Sequence, residues 1–457
     1  MAEKLFGTDG IRGIPGEYPL DDVTLERTGL ALGQHVSSER RPAAAANPRP
    51  RVLIGRDTRE SGPHIAECIA RGIAAAGAEP VSAGVLTTPG VAWLVNREQF
   101  AAGVVISASH NPYHDNGVKL ISSAGMKFSD AVESALERLI LSPNGAPPAS
   151  TAARAMDESA DEKLHEDYLA GLKAAVFPGA SFAGMKVVLD CANGAASKLA
   201  PRLFRSLGFT VIAFNDAPDG RNINAGSGSL HPDVMQKLTA DSGAVLGVAF
   251  DGDADRAIFS TATGKLVNGD GVLLAAGRYL KSLGKLKGNV IVGTTMANLG
   301  LERALADSGI ELVRTAVGDR YVLEEMQRRG ANLGGEQSGH ILFLDDATTG
   351  DGMLTAVKIA SLVSIAGPLD ALVVGLKIFP QSIVNVRVKS KPPLESLPEV
   401  ARLLEKAERE LGNSGRVVLR YSGTEPLARV MVEAEREEDV RRWTESLASA
   451  LRAAIGA

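Results

Sequence analysis

The residue types able to do covalent or metal chemistry gather in four short polar segments, and the first lies between Ala101 and Lys119. There the apolar run Val104-Val105-Ile106 leads straight into Ser107-Ala108-Ser109-His110-Asn111-Pro112. Polar residues just past the C-terminal end of a parallel strand lie where open α/β sheets bind ligands. Asn111-Pro112 sets a turn, so Ser109 is expected to present its hydroxyl from a rigid edge. A serine alone in such a loop is ordinary. What gives it meaning is the chemistry elsewhere in the chain.

The second segment follows an apolar stretch from Val245 and ends in Phe250-Asp251-Gly252-Asp253-Ala254-Asp255-Arg256. A buried strand would deliver the carboxylates of Asp251, Asp253 and Asp255 at alternate positions. Carboxylates this close repel one another unless a cation neutralises them, and hard oxygen ligands select Mg²⁺ or Ca²⁺. An EF-hand is excluded, because position six of the loop is Arg256 rather than Gly and position twelve is Ala262 rather than Glu. A solvated acidic turn is the plainer alternative, but the position directly after a buried strand favours a metal. Three such ligands leave coordination room for a phosphate oxygen, the usual way in which Mg²⁺ enters phosphoryl transfer.

The third segment, Gly334-Gly335-Glu336-Gln337-Ser338-Gly339-His340, sets a carboxylate, an amide, a hydroxyl and an imidazole among glycines. Such a loop can approach a polyhydroxylated ligand closely, with Glu336 accepting hydrogen bonds and Ser338 exchanging them. His340 titrates near neutrality and suits proton shuttling. The fourth segment is Arg420-Tyr421-Ser422-Gly423-Thr424-Glu425-Pro426, followed by Arg429. Its backbone amides, hydroxyls and guanidiniums are the parts of a phosphate cradle. A plain hairpin loop is the simpler alternative; Arg420 at the end of an apolar strand favours the phosphate.

These segments need elements to hold them, and one pattern recurs three times. An apolar run leads to a polar loop, a helical stretch, a glycine and a second β-branched run. The copies begin at Val52-Leu53-Ile54, Val187-Val188-Leu189 and Val290-Ile291-Val292. Their helices are expected near Ile65–Ala75, Lys198–Leu207 and Leu299–Asp307, and their second strands at Val81, Val211-Ile212 and Leu312-Val313. Short continuous Val/Ile/Leu strands separated by helices of this length read as βαβ units with buried, mainly parallel strands.

The fold class is therefore α/β, with three similar α/β domains and mainly parallel mixed sheets. After Gly367-Pro368 the pattern changes to a strand near Ile383–Val388, a helix near Pro398–Leu411 ending at Gly412, strands at Val417–Arg420 and Ala428–Glu433, and a helix over Glu437–Ala454. That order indicates a smaller α+β domain. Ser142–Ala160 reads as a linker and Ser37–Arg51 as a surface loop. The expected domains are 1–155, 156–257, 258–370 and 371–457.

Composition narrows the class. At 457 residues with 45% hydrophobic content, the chain is long enough for several cores and too apolar for disorder. A net charge of -5 and a pI near 5.9 argue against nucleic acid as a partner. Cys68 and Cys191, far apart in the chain, suit a reducing compartment as small buried residues. No secretory leader is read at MAEKLFGTDG, and the most apolar long stretch, Ile359–Phe379, is broken by Pro368, Asp370 and Lys377. A soluble, cytoplasmic protein with no membrane association is expected.

In combination the four segments are far more specific than singly. ISASHNP, DGDADR, GEQSGH and RYSGTEP, in that order and one per domain, resemble the α-D-phosphohexomutase superfamily over essentially the whole chain. LFGTDGIRG, VGDRYV at Val317–Val322 and GGEQSGH resemble its branch acting on amino-sugar phosphates. One departure is visible: DGDADR stands where DGDGDR is usual, and all three carboxylates are kept.

The resemblance implies four domains around a central cleft and an isomerase-class intramolecular phosphotransferase. By similarity Ser109 carries the phosphoryl group, and Asp251, Asp253 and Asp255 hold one Mg²⁺ together with a phosphoserine oxygen. Lys119 and His340 match positions for proton transfer, and Glu336 and Ser338 match contacts to sugar hydroxyls. Arg420, Ser422, Gly423, Thr424 and Arg429 match the grip on the non-reacting phosphate, while Arg12 and Arg256 add positive charge near the serine. The implied reaction interconverts glucosamine 6-phosphate and glucosamine 1-phosphate, with a hexose 1,6-bisphosphate as activator, for cell-wall precursor synthesis. A homodimer is suggested by resemblance only.

Three alternatives stay open. The substrate could be a mannose or glucose phosphate, as in sister members. A strand ending in Asp-x-Asp also opens haloacid-dehalogenase-type enzymes, where Asp251 would be the nucleophile, but that leaves the serine and GEQSGH loops without a task. A silent sugar-phosphate binding protein would not require every catalytic residue type found here.

Overall fold

The structure, a computed structural model, describes residues 5–7, 9–38, 49–142, 161–422 and 426–457. Residues 143–160 of the expected linker and 39–48 of the expected surface loop lie outside them, as do Gly423 and Thr424.

The first body comprises β1 (Ile11–Gly13), α1 (Asp22–Ser38), β2 (Arg51–Arg56), α2 (Gly62–Ala75), β3 (Glu79–Val85), α3 (Thr88–Arg97), β4 (Ala102–Ile106), β5 (Asn116–Ser122) and α4 (Asp130–Ile140). The second adds α5 (Asp161–Ala174), β6 (Lys186–Asp190), α6 (Ala196–Ser206), β7 (Thr210–Phe214), α7 (Asp233–Ser242), β8 (Leu246–Phe250), β9 (Ala257–Thr261) and β10 (Leu266–Val267). The third holds α8 (Gly269–Ser282), β11 (Val290–Thr294), α9 (Leu299–Asp307), β12 (Glu311–Thr315), α10 (Asp319–Arg329), β13 (Leu333–Gly335), β14 (Ile341–Phe343), α11 (Gly352–Ala366) and α12 (Leu369–Leu372).

Each sheet has the same parallel heart. Orders β4-β2-β3, β8-β6-β7 and β13-β11-β12 all place the first strand of the unit between its third and second. Each then adds an antiparallel strand beside the third: β5 on β4, β9 on β8 and β14 on β13. Val187, Val188 and Leu189 are fully buried, as strands covered on both faces require. The second sheet runs on through β9 and β10 to Val267, past the joint expected at residue 257, because β9 pairs with β8 along its whole length.

Chain punctuation is local. Thr87 caps α3 by accepting from the Gly90 N–H, with a proline in the first turn. Asp351 caps α11 by accepting from Leu354 N–H. One continuous apolar cluster runs through the first three bodies, from Leu53 and Val105 to Phe204 and Ile359. Tyr168 on α5 is fully buried where they meet; its hydroxyl donates to Asp351 Oδ2 at 2.8 Å and accepts from Thr87 Oγ1 at 3.3 Å.

The fourth body, β15 (Gln381–Arg387), α13 (Pro398–Leu411), β16 (Gly415–Tyr421), β17 (Leu427–Ala434) and α14 (Glu437–Ile455), is an antiparallel sheet of order β15-β17-β16. It has its own core around Val430 and Trp443. It docks on the third body through Arg416, which donates to the carbonyls of Thr295 (2.9 Å) and Ala297 (2.6 Å). Glu433 accepts from Leu299 N–H at the start of α9 at 2.9 Å. Among the described residues no helix is long and apolar enough to cross a membrane.

Helices α1 and α2 meet almost backbone to backbone. A Cβ at Gly72 would lie 2.0 Å from the Glu26 carbonyl oxygen, and one at Gly29 would lie 2.1 Å from that of Ile69. Neither obstacle is a side chain that can swing away. Gly72→Ala should therefore destabilise the first body by about 3 kcal/mol, the upper range for overpacking. A lowered urea midpoint at unchanged slope would show it; an unchanged midpoint would contradict the contact.

Candidate active site

The loops after β4 and β8 bring the serine and the carboxylates together. Ser109 Oγ donates to Asp251 Oδ2 at 2.7 Å, and both residues are buried. Ligand oxygens of Asp251, Asp253 and Asp255 all lie within 4.8 Å of one another. Asp253 Oδ1 and Asp255 Oδ1 are buried without a hydrogen-bond partner. Buried carboxylate oxygens left in that condition are costly, which is what a cation between them would relieve. The donor set, all hard oxygen, fits Mg²⁺. Ala254 stands at φ +55° within this loop, in the left-handed region where a glycine would be unstrained. The third body helps to hold that conformation: Gly352 N–H donates to the Ala254 carbonyl at 3.0 Å.

Positive charge surrounds the triad. Lys119, buried on β5, reaches Asp253 Oδ2 at 3.0 Å and Asp9 Oδ2 at 3.1 Å. Thr88 Oγ1 donates to the same Asp253 oxygen at 2.6 Å. Arg256 Nε lies 3.7 Å from Asp255 Oδ1, and its backbone N–H donates to Asp251 Oδ1 at 3.2 Å. His340 Nδ1 faces Asp255 Oδ2 at 3.6 Å, and its Nε2 is buried without a hydrogen-bond partner. Arg12 pairs with Asp9 rather than with the triad.

The carboxylates are driven apart in acidity. Burial, then the charges of Asp255 and Asp253, push Asp251 well above the usual carboxylate range. Burial would raise Asp255 too, but His340, Lys119 and Arg256 outweigh it and hold that carboxyl low. Burial opposes the ammonium of Lys119, yet Asp253 and Asp9 prevail and keep it charged. Burial would likewise lower His340, whereas Asp255, Asp319 and Glu336 together raise it. The acid that accepts from the serine is thus disfavoured as an anion, beside one whose charge is held by cations.

Glu336 and Ser338 flank this centre on the turn between β13 and β14. Glu336 is half-buried and accepts from Gly318 N–H at 3.2 Å; Ser338 is exposed. Arg420 and Arg429 lie directly opposite each other across β16 and β17. Burial and then Arg429 lower the Arg420 guanidinium from its ordinary value, an unfavourable pairing that an anion between them would reverse. Ser422 adjoins them, buried, at the end of β16.

Sequence reading passed over a second ring of charge. Lys127 bridges Asp9 Oδ1 (2.7 Å) and Asp319 Oδ2 (2.8 Å), tying the first body to the third beside a cavity of about 200 Å³ that His340 also lines. Asp9 and Asp319 stood in the GTDGIRG and VGDRYV motifs, but nothing local signals that they share one lysine. A separate Asp22–His64–Cys68 group is already satisfied: His64 Nε2 meets Asp22 Oδ1 at 2.8 Å, Arg71 Nη2 meets Cys68 Sγ at 3.1 Å, and burial pushes the thiol up to about 11.

Comparison with known proteins agrees over the whole chain. Residues 3–144, 166–264 and 268–376 match the phosphoglucomutase/phosphomannomutase alpha/beta/alpha domains I, II and III, and 383–450 match the C-terminal domain of that family. The chain is 50% identical over 457 residues to a phosphoglucosamine mutase of Solibacter usitatus, covering 100% of both. It is 49% identical to that of Koribacter versatilis, over 99% of this chain and 97% of the relative. A phosphoglucomutase/phosphomannomutase family protein from Burkholderia thailandensis shares the fold with TM-score 0.77 at 23% identity, over 99% of this chain and 97% of that one. Aspergillus fumigatus N-acetylphosphoglucosamine mutase in complex with GlcNAc-6P and magnesium does so with TM-score 0.64 at 16% identity, over 98% and 96%. With its motifs, sheet order and full-length relatives in agreement, the chain belongs to the α-D-phosphohexomutase superfamily, in its phosphoglucosamine mutase family.

Proposed function

We propose that the protein interconverts glucosamine 6-phosphate and glucosamine 1-phosphate through a phosphorylated Ser109. The observation that carries this is the Ser109 hydroxyl hydrogen-bonded to Asp251 beside the unsatisfied Asp253 and Asp255 oxygens. An aspartate-nucleophile reading fits less well, since it leaves the serine loop and the Glu336–His340 loop, both brought to this centre, without a task.

Asp251, Asp253 and Asp255, with an oxygen on Ser109, would hold one Mg²⁺, which when bound supplies charge neutralisation to the phosphoryl group. Lys119 and Arg256 add fixed positive charge, and Arg12 lends more from the rim; phosphoryl transfer relies mainly on such positioning and stabilisation. A sugar hydroxyl attacks the phosphorus with its proton leaving towards His340, and the bond from phosphorus to the seryl oxygen breaks, that oxygen taking a proton from the Lys119 ammonium. The hexose 1,6-bisphosphate so formed turns round and returns its other phosphate to Ser109.

Glu336 and Ser338 orient the ring hydroxyls. Arg420, Ser422, Gly423, Thr424 and Arg429 grip the phosphate that does not react, which lets one donor serve both hydroxyls. The substrate choice is supported by the relatives, named as phosphoglucosamine mutases, and by the fold neighbour solved with GlcNAc-6P and magnesium. The working domains are those expected from the sequence with the second running on to Val267, in a cytoplasmic, homodimeric enzyme.

Three tests follow. Ser109→Ala should abolish turnover, and phosphopeptide mass spectrometry of the bisphosphate-treated protein should place phosphate on Ser109; phosphate on Asp251 instead would sink the reading. Mg²⁺ should bind with heat detectable by calorimetry, and Asp253→Ala should lose both that heat and roughly a hundredfold or more in rate. Full activity in excess chelator would contradict it. For the substrate, kcat/KM should favour glucosamine phosphate over glucose and mannose phosphates; the reverse order would assign the chain to a sister activity with the serine chemistry intact.

A further inference from the structure

Ser109 adopts φ +52°, a left-handed conformation unfavourable for a serine. Such strain persists only where surroundings over-determine the backbone. Here the main constraint is one side chain that bonds the serine loop's backbone. Arg59, in the loop between β2 and α2, is among the largest fully buried side chains of the protein.

A guanidinium has five N–H donors in a fixed fork, and Arg59 uses all of them. Nε donates to Asp57 Oδ2 at 2.9 Å. Nη2 donates to the carbonyls of Ser109 at 3.1 Å and Asn111 at 2.9 Å. Nη1 donates to the carbonyls of Pro112 and, at 2.9 Å, Asp115. Four of the five bonds therefore end on the backbone of the serine loop.

The circuit closes through the other face of Ser109. Its backbone N–H donates to Ser107 Oγ at 2.9 Å, and Ser107 Oγ donates to Asp57 Oδ2 at 2.6 Å, the same oxygen that Arg59 holds. Both the N–H and the C=O of Ser109 are thus anchored to one buried ion pair. From the second body, Asn224 Nδ2 adds donations to the carbonyls of Ser109 (2.8 Å) and Asn111 (3.1 Å).

We propose that Arg59 is the positioning residue of the phosphoryl-carrying loop: its saturated guanidinium, with Asp57 and Ser107, fixes Ser109 in the left-handed conformation that aims Oγ at the Asp251 carboxylate. The inference rests on Ser109 as the phosphoryl carrier. A lysine cannot replace Arg59, because one ammonium has three donors and no planar fork to span four carbonyls and a carboxylate.

The test uses full-length Arg59→Lys and Ser107→Ala, the second keeping the buried ion pair while removing one link of the circuit. Loading of Ser109 from glucose 1,6-bisphosphate is followed by intact-protein and peptide mass spectrometry, alongside kcat and KM. Circular dichroism confirms that each variant is folded at the assay temperature. Both variants should load Ser109 at least about tenfold more slowly, with kcat reduced to match, since displacement near 1 Å is enough to lose that much. KM should stay within about twofold, because the sugar and phosphate grips are untouched.

Loading and kcat near the parent's in folded Arg59→Lys would overturn the proposal, as would a raised KM at unchanged kcat. Where Arg59→Lys does not fold, Ser107→Ala decides by the same criteria. Slow loading at Ser109 is distinct from phosphate on another residue of the unaltered protein; the latter would overturn the nucleophile reading and this inference with it.

Discussion

Three carboxylates buried within 4.8 Å of one another are, by themselves, a reason for this chain not to fold as it does. Removing each from water costs several kcal/mol even after relaxation, and their repulsion grows in the low-dielectric interior. The arrangement is tolerable because compensating groups arrive from elsewhere. Lys119 comes from β5 of the first sheet, Arg256 from the loop itself and His340 from the end of the third body's turn. The Ser109 hydroxyl and the Arg256 N–H, both donating to Asp251, relieve part of the remainder. The first three bodies must therefore be held in register with one another.

That register comes from a repeated construction. All three sheets place the first strand of the unit in the middle, so their functional loops leave from comparable places at the carboxyl ends of parallel strands. Ser109 and the aspartates follow the third strand of their units directly. Tyr168 and the continuous apolar cluster lock the bodies beneath these loops, and Thr88 links the α3 cap region to Asp253 through both its backbone and its hydroxyl. A strained serine and a strained alanine then lie in the two loops that carry these groups, each held by hydrogen bonds from neighbouring segments.

The fourth body is built on different terms. It keeps a separate core and meets the third through a few directional contacts around Arg416 and Glu433, instead of through a shared apolar cluster. Interfaces of this polar kind permit relative movement more readily than continuous cores do. Burial and the facing Arg429 disfavour the Arg420 guanidinium, which an anion bound there would relieve.

Much of this was legible in the chain. The expected helix over Leu299–Asp307 is observed with those bounds, and Pro398–Leu411 likewise, since caps, glycines and apolar spacing are local signals. The strands before Ser107 and Asp251 declared themselves by continuous burial-compatible residues, and the four polar segments by composition. What the sequence did not carry was partnership. The antiparallel β1 and β5 at the edge of the first sheet, which bring Arg12 and Lys119 into place, depend on pairing across a hundred residues. The Asp9–Lys127–Asp319 bridge spans 192 residues between Lys127 and Asp319. Arg59 reads in sequence as one more charge in a polar loop; only its complete burial against four carbonyls separates it from a solvated one. Residue type and local spacing determined which groups this protein has for its chemistry. Tertiary structure alone decided which share a dielectric and a hydrogen-bond circuit, because electrostatic strength depends on distance and burial that no linear spacing encodes.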